Sequence, residues 1–340
     1  MPNINDINGV TVANLAKLDA VTKANISKVN GLTLAAAFTG LLDTYTGAAA
    51  AWSVRRLASS TTVLMRVRRE TAGGTGDDDE ADVTYDSNNE LSLNSAISNT
   101  SAGVTATTLG QFINVGTVGG TTYTNPDSLT VTASCYVDTW YDQDGSIDLV
   151  QNTGTIQPYI HDGTANTDLQ KTNGHARVQF TRTDSTTMQS ASQSWSTAGD
   201  MTLFIAKTPG GGVGDTFLYH QIDDPASTRS FGLNSISNRL SIFGSSGAYN
   251  LDNARTGNLT LFSYLHEAAV EGNSYYNATL NTTVSNSISM RTGAGNANLG
   301  GTPARNYATF GIQELIHYPD LRDTDRAAIE TNINDALDIY

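Results

Sequence analysis

The last part of the chain, YATFGIQELIHYPDLRDTDRAAIETNINDALDIY (residues 307–340), joins an apolar strand to an amphipathic helix. The run before Pro319 is short and rich in aromatic and β-branched residues, which is typical of a strand. Beyond Pro319 the apolar residues recur at every fourth position, at Ile329, Ile333 and Leu337. Asp323 or Thr324 is available as an N-cap, so the sequence predicts a helix over residues 323–340 that lies against a sheet.

Upstream of this element, the chain from Tyr45 onward consists of short β-prone runs separated by clusters of Gly, Asn, Ser and Thr. Examples are HARVQF (175–180), MTLFIAK (201–207), RLSIFG (239–244) and LTLFSYL (259–265). Many short strands with frequent turn residues and few helical patterns indicate an all-β sandwich or jelly roll.

The first 44 residues differ, because a short motif returns every eleven residues: Ile7 to Thr11, then Leu18 to Thr22, then Val29 to Thr33. As a helix, an eleven-residue period favours a right-handed supercoil. As strands, the β-prone runs are separated by Asn or Asn-Gly, a strong hairpin signal. Gly9 and Gly31 would each cost a helix about 1 kcal/mol, which favours the strand interpretation.

These two patterns divide the chain into residues 1–44 and residues 45–340. Strands as short as those of the repeat cannot form a core alone, since an isolated hairpin is only marginally stable in water. A repeated unit that buries its apolar side only against copies of itself or a neighbour is an assembly element. We therefore predict an assembly or attachment arm over 1–44, a jelly-roll domain over 45–340, and a homo-oligomer.

The composition excludes several classes of partner and suggests an unusual destination. The 340 residues carry 19 Lys and Arg against 33 Asp and Glu, a net charge of -14, so neither nucleic acid nor an anionic membrane surface is predicted as a partner. Neither a secretory signal nor a membrane-spanning stretch is recognisable, and the one cysteine cannot form an intramolecular disulfide. Loops rich in Ser, Thr, Asn and Gly nevertheless suit an extracellular protein. A virus particle that is made in a host cytoplasm and released by lysis would combine this composition with the lack of a recognisable secretory signal.

A basic run interrupts the acidic background at Arg55, Arg56, Arg66, Arg68 and Arg69. In a strand, Arg66 and Arg68 share one face, whereas Met65 and Val67 share the other. Structural ion pairs or a solvated sheet face are the favoured interpretation, and a functional basic patch is the alternative.

An acidic loop, Asp142-Gln143-Asp144-Gly145-Ser146-Ile147-Asp148, carries carboxylates at Asp142, Asp144 and Asp148 around a glycine. Such spacing can wrap oxygen ligands around calcium, although the bidentate Glu that closes an EF-hand loop is missing. The alternative is an acidic turn in which carboxylates accept the loop's own backbone N–H groups. Calcium at these three residues is the only cofactor the sequence suggests, and no cofactor is required.

Several motifs occur in the order found in known families: AAAAWSVRRLASSTTVLMRVRRE (48–70), TWYDQDGSIDLVQ (139–151) and the segment after residue 307. Residues 48–180 resemble the front half of the catalytic domain of fungal arabinofuranosidase B. The later strands and the terminal helix resemble the concanavalin A-like, LamG-type jelly roll, which has the pattern E-L-I-x-Y followed by L-x-D-x-x-R. The repeat and the whole arrangement are similar to tail-fibre and other virion structural proteins of bacteriophages.

The arabinofuranosidase resemblance implies a retaining glycosidase, which needs two carboxyl groups roughly 5 to 5.5 Å apart. The resemblance places the nucleophile, a Glu, on a mid-domain strand, where this chain offers only Asp252, and the acid, an Asp, in a late loop. That late window has no Asp or Glu from Gly272 to Gln313, and Glu314 is expected to be structural on a core strand. The family's paired vicinal cysteines are also missing, so we assign no catalytic residue and expect no enzyme activity.

Four aromatic residues are candidates for a sugar platform, because a flat ring packs on the apolar face of a pyranose: Trp195, Tyr249, Tyr275 and Tyr276. The sequence thus predicts a non-catalytic virion protein, a tail fibre, spike or capsid decoration, that contacts other virion proteins, copies of itself and host-surface glycans. By analogy with fibres the oligomer is a trimer. The alternatives are an arabinofuranosidase-like glycoside hydrolase and a cellular carbohydrate-binding or adhesion module.

Overall fold

A computed structural model describes residues 38–71, 78–127, 129–145, 147–191, 199–208, 259–268, 270–284, 296–301 and 309–340 with their side chains. It describes the backbone alone at residues 285 and 293–295 and in the strands within 6–33, 193–195 and 217–250. The chain divides into two compact units, Met1–Gly40 and Leu41–Tyr340.

The described residues of the first unit form three antiparallel hairpins: β1 (Asp6–Ile7) with β2 (Val10–Thr11), β3 (Lys17–Leu18) with β4 (Val21–Thr22), and β5 (Lys28–Val29) with β6 (Leu32–Thr33). Their registers are equivalent, because Ile7 pairs with Val10, Leu18 with Val21, and Val29 with Leu32. The strand interpretation of the repeat is therefore confirmed at these positions, and the helix alternative is wrong there.

The second unit begins with α1 (Leu41–Thr44), which the sequence had assigned to the arm. Leu41 and Leu42 are buried with Ala51 and Leu57 in an apolar cluster of the second unit. Their burial explains why the structural boundary lies at Gly40 rather than before Tyr45.

The front half of the second unit has thirteen strands among its described residues. They are β7 (Ala50–Ser53), β8 (Met65–Glu70), β9 (Asp79–Val83), β10 (Ile97–Ser98), β11 (Gly116–Val118), β12 (Thr121–Tyr123), β13 (Ser134–Trp140), β14 (Leu149–Val150), β15 (Tyr159–Asp162), β16 (Lys171–Thr172), β17 (His175–Ala176), β18 (Val178–Phe180) and β19 (Met188–Ser190). Between them lie α2 (Leu109–Phe112) and a 3-10 turn at Gly154–Ile156.

The back half supplies the strands that complete the sandwich. They are β20 (Gln193–Trp195), β21 (Met201–Lys207), β22 (Phe217–Asp224), β23 (Thr228–Ile236), β24 (Arg239–Gly244), β25 (Gly247–Asn250), β26 (Thr260–Glu267), β27 (Glu271–Tyr276), β28 (Thr279–Ser285), β29 (Gly293–Leu299) and β30 (Phe310–Tyr318). All strand pairings among the described residues are antiparallel, so the predicted all-β jelly-roll sandwich is confirmed.

The central strand β30 joins several ladders. It pairs with β21 on one side and with β7 and β18 on the other, and β21 pairs in turn with β26. A second route runs from β9 through β8 and β13 to β15 and β18. Strand pairing therefore connects β7, which carries Ser53, with β13 and with β30.

Two apolar clusters cover the two faces of the central strands. Leu203, Phe262 and Leu315 belong to the main core, whereas the alternate residues Phe204, Leu261 and Ile316 belong to the cluster beneath the C-terminal helix. Alternate side chains of a strand point to opposite faces, so strands covered on both sides become apolar throughout.

The terminal helix α3 spans Arg326–Leu337 and buries the predicted Ile329, Ile333 and Leu337. It is shorter at both ends than the predicted 323–340. The N–H groups of Asp325 and Arg326 both donate to the carbonyl of Arg322 in a preceding turn, so Asp325 is the N-cap. At the other end Asp338 adopts a left-handed φ of 50°, which ends the helix. No described helix is long and apolar enough to span a membrane.

Candidate functional site

The Asp142 carboxylate lies inside its own loop and accepts backbone N–H groups. Its Oδ1 accepts from Ala51 at 2.8 Å and from Asp144 at 3.1 Å, and its Oδ2 accepts from Ile147 at 3.1 Å. Asp148 closes the loop by accepting the N–H of Asp142 at 2.9 Å. The chain therefore uses these two acids to fix the loop and to attach it to β7, as the backbone-turn alternative predicts.

Burial raises the pKa of Asp142 above its usual range, and the N–H donors of Ala51, Asp144 and Ile147 act in the opposite direction. Asp144 is exposed as a residue, but its carboxyl is partly shielded from water, and this partial burial together with the Asp142 charge raises its pKa as well. In the part of the chain with described side chains, no group of three or more His, Cys, Asp or Glu is arranged to hold a metal. Calcium at Asp142, Asp144 and Asp148 stays a prediction that titration can test.

The predicted aromatic platform divides into residues with and without a described side chain. Trp195 and Tyr249 lie on β20 and β25, whose side chains are outside the described part, as is the whole of Asp252. Tyr276 is 6% exposed and packs on Phe262 with ring centroids 5.3 Å apart. The guanidinium of Arg326 lies 3.9 Å above the ring of the half-buried Tyr275. Tyr276 is thus a core residue, and Tyr275 has one face covered by Arg326.

The basic run of β8 is occupied by ion pairs. Arg66 pairs with Glu80 and Asp82, Arg68 with Glu70 and Asp78, and Arg69 with Asp79. The alternation of Arg66 and Arg68 against the buried Met65 and Val67 follows the strand geometry predicted from the sequence. These contacts favour structural ion pairs over a basic patch.

Glu314 lies on β30 with a side chain that is 0% exposed. Its carboxylate accepts from Arg55 Nε at 2.7 Å, from Arg55 Nη2 at 3.0 Å and from the Ser53 hydroxyl at 2.8 Å. A carboxylate that is buried and fully engaged in this way cannot reach a substrate. The structural role predicted for Glu314 agrees with this geometry.

A cleft of about 510 Å³, which we call the tyrosine cleft, opens on the outer face of β13 and β15 and was not predicted from the sequence. Tyr136 of β13 and Tyr159 of β15 are direct register partners and are both half-buried in its wall. A register shift after Cys135 brings the two tyrosines into line. The sequence does not predict this pairing, because the two tyrosines are 23 positions apart and their alignment depends on a bulge that no local pattern specifies.

Arg68 supports the tyrosine cleft from behind. Its guanidinium carbon lies 5.1 Å from the centroid of the Tyr136 ring, and Nη2 donates to the carbonyl of Gly154 at 3.1 Å. Nε donates to Gln157 Oε1 at 2.9 Å, and a Cβ on Gly154 would come within 2.9 Å of the guanidinium. One buried arginine therefore contacts both Tyr136 and the 154–157 loop, which also lines the cleft.

Carboxylates and threonines form the rim of the tyrosine cleft. Asp162 and Asp184 are exposed and lie among its lining residues, together with Glu70. Burial raises the pKa of Tyr159, and the charges of Asp162 and Asp184 add to this shift while that of Arg177 opposes it. At neutral pH the Tyr159 hydroxyl is consequently protonated and can both donate and accept.

No protein-family model matches the chain, and no curated protein matches it in sequence. In three dimensions it is similar to a glutamate-to-glutamine mutant of a GH54 α-L-arabinofuranosidase soaked with 4-nitrophenyl α-L-arabinofuranoside, with a TM-score of 0.55 and 13% identity over 88% of this chain. An arabinofuranosidase in complex with arabinofuranosyl-α-1,2-xylobiose gives a TM-score of 0.53 at 13% identity, again over 88% of this chain. The chain shares their β-sandwich fold.

The similarity has two limits. The chain spans 66% of the length of the first of these enzymes and 65% of the second. At 13% identity the likeness concerns the fold, and it carries no residue role across to this chain.

Proposed function

We propose that this chain is a non-catalytic structural protein of a bacteriophage virion, a fibre, spike or capsid decoration. Its arm (residues 1–40) assembles it with copies of itself and with other virion proteins. Its jelly roll faces the host surface and contacts glycans. The proposal goes beyond the likeness to glycoside hydrolases, which concerns the fold alone.

The proposal that the protein is non-catalytic rests on the buried, ion-paired position of Glu314. It is the first carboxylate after a stretch from Gly272 to Gln313 that has no Asp or Glu, and Arg55 and Ser53 enclose it in the core. A retaining glycosidase needs a second accessible carboxyl group to protonate the leaving group. The stretch from Gly272 to Gln313 offers none, which supports a scaffold that holds sugars without cleaving them.

The geometry of the arm supports assembly. The three hairpins described in the arm have equivalent registers at eleven-residue steps, and in the described residues each strand contributes two paired residues. Hairpins that short do not persist alone in water, so they gain stability by packing against partners. The net charge of -14 keeps nucleic acid and anionic membranes out of the proposed set of partners.

Light scattering after size exclusion tests assembly by comparing the full chain with a version that begins at Leu41. We expect an oligomer, a trimer by analogy with fibres, for the full chain and a folded monomer for the shortened one. Two monomers would contradict self-assembly, and would favour a cellular carbohydrate-binding or adhesion module if glycan binding were retained.

The second candidate function is an arabinofuranosidase-like glycoside hydrolase, which the fold similarity favours. Release of 4-nitrophenol from 4-nitrophenyl α-L-arabinofuranoside by the full chain separates the two candidates. We expect no release above the buffer rate. Turnover that Glu314→Gln abolishes in a folded protein would instead establish the hydrolase.

A further inference from the structure

The two rings of the tyrosine cleft offer a stacking surface. Tyr136 and Tyr159 are opposite each other on neighbouring strands, where Cβ atoms lie about 4.5–5.5 Å apart. Arg68 lies over one face of the Tyr136 ring, and Tyr136 and Tyr159 are both half-buried lining residues of the cleft. Aromatic rings of this kind pack on the apolar face of a sugar ring.

The cleft is held ready for a ligand. Arg68 is 6% exposed, and its guanidinium is fixed by Gln157, Gly154 and Asp78 at 2.8–3.1 Å. Gln157, itself 2% exposed, donates in turn to Asp138 and to the carbonyl of Gln151. Ordering these side chains in advance lowers the entropic cost of binding. The volume of about 510 Å³ lies within the 300–1,000 Å³ that is usual for small-ligand sites.

The rim offers acceptors to hydroxyl groups. Asp162 accepts the N–H of Thr164 at 3.0 Å, and Asp184 accepts the hydroxyl of Thr181 at 2.7 Å. A carboxylate can accept about four hydrogen bonds, so each retains capacity for a sugar hydroxyl. The protonated hydroxyl of Tyr159, another lining residue, adds a donor.

The charge at the cleft selects among sugars. Glu70, Asp162 and Asp184 line it, and no cationic side chain is among the lining residues. Arg68 behind the wall is neutralised by Glu70 and Asp78, and Arg177 beside Tyr159 donates to Thr172 at 2.8 Å. Glu70 is paired with Arg68, so the repulsion of an anionic sugar comes from Asp162 and Asp184, which offer hydrogen-bond acceptors to a neutral sugar.

We infer that the tyrosine cleft is a binding site for a neutral sugar unit of a glycan, with Tyr136 and Tyr159 as the stacking platform and Asp162 and Asp184 as acceptors for its hydroxyls. This inference rests on the proposed glycan-contacting function and assigns it to a site. It also excludes acidic glycans, such as uronate polymers, as ligands of this cleft.

Calorimetric titration of the full chain with neutral hexasaccharides (maltohexaose, cellohexaose, xylohexaose and arabinohexaose) and with hexagalacturonate tests the inference. We expect at least one neutral hexasaccharide to bind and hexagalacturonate to bind at least tenfold more weakly. Tyr136→Leu and Tyr159→Leu keep apolar packing but remove the flat ring, and each should weaken binding at least tenfold. Tyr85→Leu, at a half-buried tyrosine that lies under Arg56 and outside the cleft, is the matched control and should bind as the unaltered chain does.

The rim carboxylates give a second test, which leaves Tyr136 and Tyr159 unchanged. Replacing both exposed rim carboxylates, by Asp162→Asn and Asp184→Asn together, should weaken binding of the neutral hexasaccharide at least threefold. It should also reduce the ratio between the dissociation constants of hexagalacturonate and the neutral hexasaccharide. Binding that survives both tyrosine substitutions, or that only Tyr85→Leu removes, would overturn the inference and leave glycan contact standing. Failure of every neutral hexasaccharide to bind would overturn both the inference and the glycan half of the proposed function, while light scattering would still report on assembly.

Discussion

Arg55 and Glu314 form a bidentate ion pair inside the sandwich, with Nε to Oε2 at 2.7 Å and Nη2 to Oε1 at 3.0 Å. The pair crosses from the end of β7 to β30, and the same Nη2 donates to Asn332 of α3 at 3.0 Å. It thereby connects two strands of the sheet with the helix that covers them. A carboxylate on the late strands of an arabinofuranosidase-like fold is used here to hold the fold together.

Glu314→Ala should lower the free energy of unfolding by about 3–5 kcal/mol, because it leaves the Arg55 guanidinium buried without a counter-charge. Urea denaturation followed by circular dichroism measures the loss. Lys171→Ala is the control, since its pair with Asp168 is about one-third exposed and should contribute less than about 1 kcal/mol. Equal losses in the two variants would contradict the structural role of Glu314.

Asp142→Ala should destabilise the chain by at least about 2 kcal/mol, because three backbone N–H groups at 2.8–3.1 Å lose a charged acceptor. Asp144→Ala is the matched control on the same loop. It removes an exposed carboxylate that repels Asp142, so its effect should stay within about 0.5 kcal/mol.

Thermal melts of the unaltered chain, Asp144→Ala and Asp148→Ala, with EDTA and with excess calcium, test the cofactor prediction. If the loop serves only its own backbone, the melting temperature of the unaltered chain is the same in both conditions. A rise in calcium that Asp144→Ala and Asp148→Ala both remove would establish the metal site, because a ligand that binds only the folded state stabilises it.

The sequence predicted those features that depend on local pattern. The four-residue spacing of Ile329, Ile333 and Leu337 placed the helix, and alternation placed Arg66 and Arg68 on one face of β8. The ends of the helix at Arg326 and Leu337 were not predictable, because a turn anchored on the carbonyl of Arg322 and the left-handed Asp338 decide them.

The tyrosine cleft could not be predicted for a different reason. Tyr136 and Tyr159 meet only after β13 and β15 pair with a register shift, and Arg68 reaches Tyr136 only because β8 pairs on the other side. Site prediction from the sequence instead selected aromatic residues in loop-like contexts, and one of them, Tyr276, is in the core. Cross-strand partners are a property of the topology rather than of any segment.

His317 should make the chain less stable as the pH falls below about 6.5. It is 2% exposed on β30, and burial lowers its pKa from 6.5 to about 4. In the unfolded chain the imidazole takes up a proton near pH 6.5, whereas in the folded chain it does so only near pH 4, so its stabilisation is present above pH 6.5 and is lost between the two values. The full loss is about 3 kcal/mol.

Urea denaturation of the unaltered chain and of His317→Leu at pH 7.5, 6, 5 and roughly 4.2 isolates this contribution. Carboxyls such as Asp142 and Glu330, whose pKa is raised by burial, act in the opposite direction in both proteins and cancel in the comparison. The variant should have the shallower decline with acid. Parallel declines would show that His317 does not set the pH dependence.

Gly300→Ala should be among the most destabilising single-methyl changes in the sandwich. Gly300 follows β29 with a left-handed φ of 85°, and a Cβ there would collide with the carbonyl oxygen of Thr186 and approach Phe180 Cδ1 to 2.5 Å. The left-handed backbone costs about 1–2 kcal/mol for a residue with a Cβ, and the overpacking adds about 1–3 kcal/mol.

Gly103→Ala separates the two costs, because Gly103 has a φ of 90° but no atom within 4 Å of the new methyl group. Urea denaturation should therefore show a loss of about 1–2 kcal/mol for Gly103→Ala and a clearly larger one for Gly300→Ala. Equal losses would mean that the backbone shifts to make room, and that the contact between the end of β29 and Thr186 does not constrain the sandwich.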